Sequence, residues 1–102
     1  MQEVKVELLE TFFQRLTGAL TRPLLRNKVL LFSPGGSVHT IFMRQNIDVA
    51  FLDKDYKVLF VKSGLRPWRF QMAPKKTCFT IEAMEGEFDK LSLGKIFYYE
   101  KD

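Results

Sequence analysis

The single histidine of this chain, His39, precedes an aspartate, Asp48, in the stretch SVHTIFMRQNIDVAFLD over residues 37–53. A carboxylate set between Ile47, Val49 and Phe51 must accept hydrogen bonds, or burial will raise its pKa. Two chemistries follow. Asp48 is either a structural acceptor for Thr40 or backbone N–H groups, or a perturbed acid lining a pocket. His39 is either a satisfied core imidazole or an acid–base partner of Asp48.

The choice turns on hairpin register. A two-residue Gln45-Asn46 loop puts His39, Met43 and Asp48 on one sheet face. A three-residue Arg44-Gln45-Asn46 loop instead brings Thr40 to Asp48 and sends His39 to the opposite face. Both registers remain open on sequence grounds.

The only tryptophan, Trp68, lies between Pro67 and Arg69, with Arg66 and Phe70 alongside. Interleaved arginine and aromatic side chains can stack bases or line an anionic-ligand pocket; the plainer reading is a loop that closes one end of the fold. Arg22, Arg26 and Lys28 form a second basic group and Lys75-Lys76 a third. Glu82, Glu85, Glu87 and Asp89 form an acidic run. One histidine and one cysteine, Cys78, supply no metal-ligand spacing, and no cofactor is implied. Cys78 lies in an alternating segment and reads as a small buried apolar residue. The Pro34-Gly35-Gly36 turn lacks the lysine and following helix of a phosphate loop.

These residues need elements to hold them. Val4, Val6 and Leu8 alternate with charges, as in a strand with one buried face. Leu9, Phe12, Phe13, Leu16 and Leu20 fall at helical spacing, and Gly18 and Pro23 set the end of that helix. Strands are expected at Val29–Phe32, Val38–Met43, Ile47–Leu52, Val58–Val61, Cys78–Ala83 and Lys95–Tyr99, with a helical turn in Glu85–Leu91. The pattern predicts a mostly β fold, a small antiparallel β-barrel or sandwich with one helix covering a side.

With 102 residues, 46% hydrophobic and 27% charged, the chain fits one globular domain over 1–102. A lone cysteine excludes an internal disulfide and suits a reducing compartment. The N-terminal stretch MQEVKVELLETFF lacks a signal-peptide pattern, and no apolar run is long enough for a membrane helix, so a cytoplasmic location is expected. The net charge of +4 points mildly toward polyanions.

His39-Thr40, Met43, Ile47-Asp48-Val49 and Phe51-Leu52-Asp53 together resemble the core signature of a bacterial and archaeal family, domain of unknown function 192. Gly18-Ala19-Leu20-Thr21-Arg22, Leu30-Leu31-Phe32, Pro67-Trp68-Arg69 and Ile81-Glu82 with Gly86 agree with that family in order and spacing. Ala19 departs from an expected leucine, Met84-Glu85 from a Pro-Ala, and Lys95 from an aspartate usual after Gly94. The resemblance implies a compact β-rich domain and no particular activity.

Three functions are compatible with these residues. The first is a small-ligand or peptide-binding module whose pocket lies at the 39–48 hairpin and draws on Thr40, Arg44, Asp48, Trp68 and Arg69. The second is a single-stranded nucleic-acid binder, against which stands the lack of paired RNP-type aromatics. The third is an enzyme with Asp48 or His39 as acid or base, for which the residues fix no second catalytic group. The expected partner is therefore a small molecule or protein, with nucleic acid a weaker candidate and no membrane association.

Overall fold

The computed structural model describes residues 5–9, 28–41, 43–89, 91 and 93–97, the first stretch as backbone only. Seven strands appear: β1 (Lys5–Leu9), β2 (Lys28–Phe32), β3 (Val38–His39), β4 (Ile47–Leu52), β5 (Val58–Leu65), β6 (Phe70–Gln71) and β7 (Phe79–Met84). Five form one sheet in the order β1-β2-β7-β4-β5, while β3 and β6 form a separate two-stranded sheet. The expected mostly β, largely antiparallel class is what the chain adopts. The expected helix enters at Leu9, which is the last residue of β1, and the rest of it lies outside the described residues.

One pairing departs from the antiparallel expectation. Strands β1 and β2 run parallel, Val6 opposite Val29 and Leu8 opposite Leu31. Parallel neighbours need a connection of a dozen or more residues, and the 18 residues between Leu9 and Lys28 meet that length.

The centre of the sheet explains its sequence. Every residue of β4 is buried, as are Val29 to Phe32 of β2 and Thr80 to Ala83 of β7. Strands covered on both faces read as unbroken apolar runs rather than alternations, which is the character of VLLF and VAFL. On one face Leu30, Phe32, Ile47, Val49 and Phe51 gather with Val38 and Leu65. The short β3–β6 sheet thereby contributes Val38 to this side. On the other, Val29, Leu31, Ala50, Leu52, Ile81 and Ala83 pack with Phe88 of the turn that follows β7.

The polar Asp53-Lys54-Asp55 turn joins β4 to β5 as a hairpin, with Asp53 Oδ1 accepting from the backbone N–H groups of Asp55 and Lys57 at 2.8 and 2.9 Å. The Lys57 bond, the largest influence, holds the Asp53 carboxyl below its ordinary pKa. The expected 39–48 hairpin does not form. β3 pairs with β6, His39 opposite Phe70, and β4 pairs with β5 and β7 instead. Residues 40–46 are loop where described, so Val38–Met43 contracts to a two-residue strand. Local alternation and a plausible turn are outcompeted by the longer β4–β7 ladder, which aligns six residue pairs. Of the last expected strand, Lys95–Tyr99, the described residues 95–97 show a single bridge between Ile96 and Lys57, and Tyr98 and Tyr99 lie outside the described residues. The turn in Glu85–Leu91 is present as successive three-residue hydrogen bonds, Glu87 to Met84, Asp89 to Gly86 and Leu91 to Phe88.

Candidate functional site

Asp48 sits at an irregularity that its own side chain resolves. Ile47 pairs with Leu65 and Val49 with Lys62, so β5 spends one residue more than β4 over this interval. The surplus is a bulge at Ser63-Gly64, where Gly64 takes φ +64, a left-handed backbone that a side chain disfavours. A bulge interrupts the regular ladder, and Asp48 Oδ1 accepts the Gly64 N–H at 2.9 Å. Its second oxygen accepts from Gly86 N–H at 2.9 Å and Phe88 N–H at 3.1 Å. The carboxylate is fully buried. It therefore fastens β4, the β5 bulge and the turn after β7 into one body, and it reaches neither His39 nor Thr40.

Thr40 performs a similar task at the other end of the site. It is fully buried, and its hydroxyl donates to the Arg66 carbonyl at 2.6 Å while accepting from the Arg69 N–H at 2.8 Å. Its own N–H donates to the Arg69 carbonyl, and its carbonyl accepts from Trp68 N–H. The 66–69 turn, in which Trp68 has φ 63, is thus held to the loop after β3 by backbone and hydroxyl alone. Neither guanidinium bonds to Thr40, and that of Arg69 donates to the Trp68 carbonyl at 3.3 Å on the exposed side of the turn. We expect Thr40→Val to leave one carbonyl and one N–H of this turn short of a partner. The cost is about 2 kcal/mol, which lowers the melting temperature by roughly 10 °C and is read by thermal melting together with faster amide exchange at Arg69.

Beside that turn lies the cleft of interest, an open depression of about 410 Å³ lined by Lys62, Gly64, Leu65, Arg66, Arg69, Phe70 and Gln71. Its floor is rigid, because Gly64 is tied to Asp48 and the 66–69 turn to Thr40. Its walls carry three cations, none of them ion-paired among the described residues. Lys62 faces the same side of the sheet as its partner Val49, and Phe60 shares that side, its ring stacked on Phe51 with centroids 6.4 Å apart. Phe60 is 38% exposed and Phe70 63%.

The predicted residues scatter accordingly. Arg69 lines the cleft; Trp68 is exposed next to it; Arg44 is exposed in the 43–46 loop; Thr40 and Asp48 are buried supports. His39 is exposed rather than in the core, and it sits opposite Phe70 across the β3–β6 pair. The pocket expected at a 39–48 hairpin is replaced by one between the end of β5 and β6, because that hairpin is absent. Lys62 was not legible as a site residue, although an isolated lysine ending an apolar strand is a usable signal.

Another residue missed by sequence is Glu82. It lies in the middle of β7, paired with Leu30 on one side and Val49 on the other, and is only 6% exposed. Desolvation by burial pushes its carboxyl up from 4.5 to about 7. Grouping it with the acidic run from Glu85 onward hid the fact that its neighbours are core residues. Cys78 is half-buried, and no group of His, Cys, Asp and Glu among the described residues is arranged to hold a metal ion. No helix among them is long and apolar enough to cross a membrane.

Fold and cleft together define a small, mostly antiparallel β domain with a cationic surface depression braced by buried Thr40 and Asp48. The chain belongs to the DUF192 family, described as uncharacterised ACR, whose model matches residues 1–95. It is 33% identical over 93 residues to a UPF0127 protein of Thermococcus sibiricus, covering 86% of this chain and 60% of that relative. A UPF0127 protein of Pyrococcus abyssi is 35% identical over 92 residues, covering 82% of this chain and 74% of the relative. The fold is similar to that of a protein of unknown function from Novosphingobium aromaticivorans, with a TM-score of 0.78 at 18% identity over 89% of this chain and 71% of that one.

Proposed function

We propose that the protein is a cytoplasmic binding module for small anionic ligands or acidic peptides, and that the cleft between β5 and β6 is its site. The observation that carries this reading is the convergence of Lys62, Arg66 and Arg69 with the exposed ring of Phe70 around one braced depression. Arginine forks bind carboxylate and phosphate oxygens in pairs, and a neighbouring ring supplies apolar contact for the rest of a ligand. An acid–base role for Asp48 has little support, since three backbone N–H groups already occupy its oxygens.

The test is a titration with inorganic phosphate, citrate and adenosine monophosphate, followed by calorimetry and by the fluorescence of the single tryptophan, Trp68. Saturable binding of at least one of these is expected. In the Arg66→Ala/Arg69→Ala double variant affinity should fall at least about tenfold, since each charged hydrogen bond contributes roughly 1.5–3 kcal/mol. Only the backbone atoms of these two arginines bond to Thr40, so the variant keeps the bonds that tie the turn to Thr40 and loses one exposed bond, from the Arg69 guanidinium to the Trp68 carbonyl. Equal affinity in the double variant, or no saturation by any of the three anions, would overturn the reading.

A further inference from the structure

The distribution of charge along the chain is strongly one-sided. Residues 56–81 contain Lys57, Lys62, Arg66, Arg69, Lys75 and Lys76 and not one aspartate or glutamate. The remainder holds ten cations against twelve acids, so the positive net charge of the protein arises entirely from this segment. The same segment builds β5, the 66–69 turn and β6, the elements that form the cleft. It also supplies Phe60, Trp68, Phe70 and Met72, four of the large apolar side chains left exposed.

Cations alone would suit any polyanion. What narrows the choice is that exposed aromatic rings accompany the cationic cluster. Phe60 lies two residues before Lys62 on the same face of β5, and Phe70 lines the cleft from β6, with His39 as its cross-strand neighbour. A ligand that alternates flat rings with phosphates matches that order: a ring on Phe60, phosphates over Lys62, Arg66 and Arg69, and a further ring on Phe70. Acidic peptides satisfy the cations but leave the exposed ring faces without a stacking partner. A nucleic-acid duplex hides its base faces.

We infer that this surface binds single-stranded nucleic acid, with Phe60 and Phe70 as stacking platforms and Lys62, Arg66 and Arg69 as phosphate contacts. The inference rests on the anion-binding reading of the same cleft and names its occupant. Sequence preference is not built in, because every base offers a ring face and the cations contact only the backbone.

The experiment compares a ten-nucleotide oligothymidylate, a decaglutamate peptide and adenosine monophosphate on the wild type, Phe70→Ala and the Arg66→Ala/Arg69→Ala double variant. Phe70 is chosen because it is exposed, whereas Phe60 also stacks on the core ring of Phe51. We expect the oligonucleotide to bind more tightly than the peptide. With three phosphates neutralised, its affinity should fall roughly 20-fold between 50 and 200 mM salt. Phe70→Ala should weaken it about tenfold through loss of one base stack while leaving decaglutamate unchanged, and Phe70→Trp should restore it. Decaglutamate binding as tightly as the oligonucleotide, with Phe70→Ala without effect on either, would overturn the inference and leave the anion-binding module standing. So would binding of adenosine monophosphate with none of the oligonucleotide. Indifference of oligonucleotide binding to the double variant would place it elsewhere and equally overturn the inference. Failure of all three probes to bind overturns the inference, and failure of inorganic phosphate and citrate as well removes the anion-binding reading along with it.

Discussion

Asp48→Asn is expected to lose about 3 kcal/mol of folding stability, and Asp48→Ala about 4 kcal/mol, out of a total of roughly 5–15 kcal/mol for a domain of this size. The asymmetry comes from geometry. Three backbone N–H groups, on Gly64, Gly86 and Phe88, converge on two carboxylate oxygens with no exposure to solvent. An asparagine keeps one acceptor oxygen and turns an NH₂ toward donors, so at least one buried N–H faces another donor. An alanine abandons all three and leaves a void. Chemical denaturation should show a lower midpoint with an unchanged slope, and adenosine monophosphate should still bind at temperatures where the variant is folded. An Asp48→Asn protein that melts within about 2 °C of wild type contradicts the bracing role. One that keeps its stability and loses binding would move Asp48 from support to site.

Glu82→Gln is expected to act in the opposite direction and only above acidic pH. Burial raises the folded-state pKa of Glu82 from 4.5 to about 7. Between those values the unfolded chain has released the proton while the folded chain retains it. Stability therefore falls as pH rises through this window, and is greatest with respect to Glu82 below 4.5. The loss by pH 8 amounts to about 3 kcal/mol, converting the shift at 1.36 kcal/mol per pKa unit. Glutamine keeps the shape and removes the charge. Its variant should match wild type near pH 4.5 and exceed it at pH 8, with the wild-type decline over pH 5–7 abolished. The depressed pKa of Asp53 acts in a separate range, lowering stability only as pH falls below its ordinary 3.8. Thermal melts of both proteins at half-unit intervals from pH 4.5 to 8 decide the matter. A wild-type stability equal at pH 5 and pH 8 would show that Glu82 ionises freely in the folded protein.

These two carboxylates mark how far a single sequence can be read. Asp48 stood out because Ile47, Val49 and Phe51 are compact β-formers, and the inference that a covered carboxylate must find donors needed no partner to be named. Its actual donors lie 16, 38 and 40 residues away, a separation invisible to local pattern. Glu82 shares a strand with Phe79, Ile81 and Ala83, whose alternation suggested one wet face. The opposite face is also covered, by the layer containing Leu30, Val38 and Val49, so alternation misled where the sheet is buried on both sides.

The central strands at Val29–Phe32 and Ile47–Leu52 were legible for the converse reason. Short apolar runs bounded by Ser33-Pro34-Gly35-Gly36 and Asp53-Lys54-Asp55 admit few alternatives. The 39–48 hairpin was a plausible local solution that lost to long-range pairing, and with it went the expected contact between His39 or Thr40 and Asp48. Arg66, Trp68, Arg69 and Phe70 were recognisable as a cluster from their order alone. Lys62 joined them only in the folded chain, where it lines the same depression as Arg66, Arg69 and Phe70. Thr40 was read as a ligand-site residue and a possible donor to Asp48, whereas its hydroxyl bonds to the backbone of Arg66 and Arg69.

The cleft proposed as the ligand site is lined by Lys62, Gly64, Leu65, Arg66, Arg69 and Phe70. Amide NMR of the labelled chain titrated with adenosine monophosphate tests that assignment most directly. Saturable shifts confined to residues 62–71, with His39 following through its pairing to Phe70 and with saturation moved to at least about tenfold higher concentration in the Arg66→Ala/Arg69→Ala double variant, are the predicted result. Shifts centred instead on the 43–46 loop or on Lys75-Lys76, or saturation at the wild-type concentration in the double variant, would contradict that assignment.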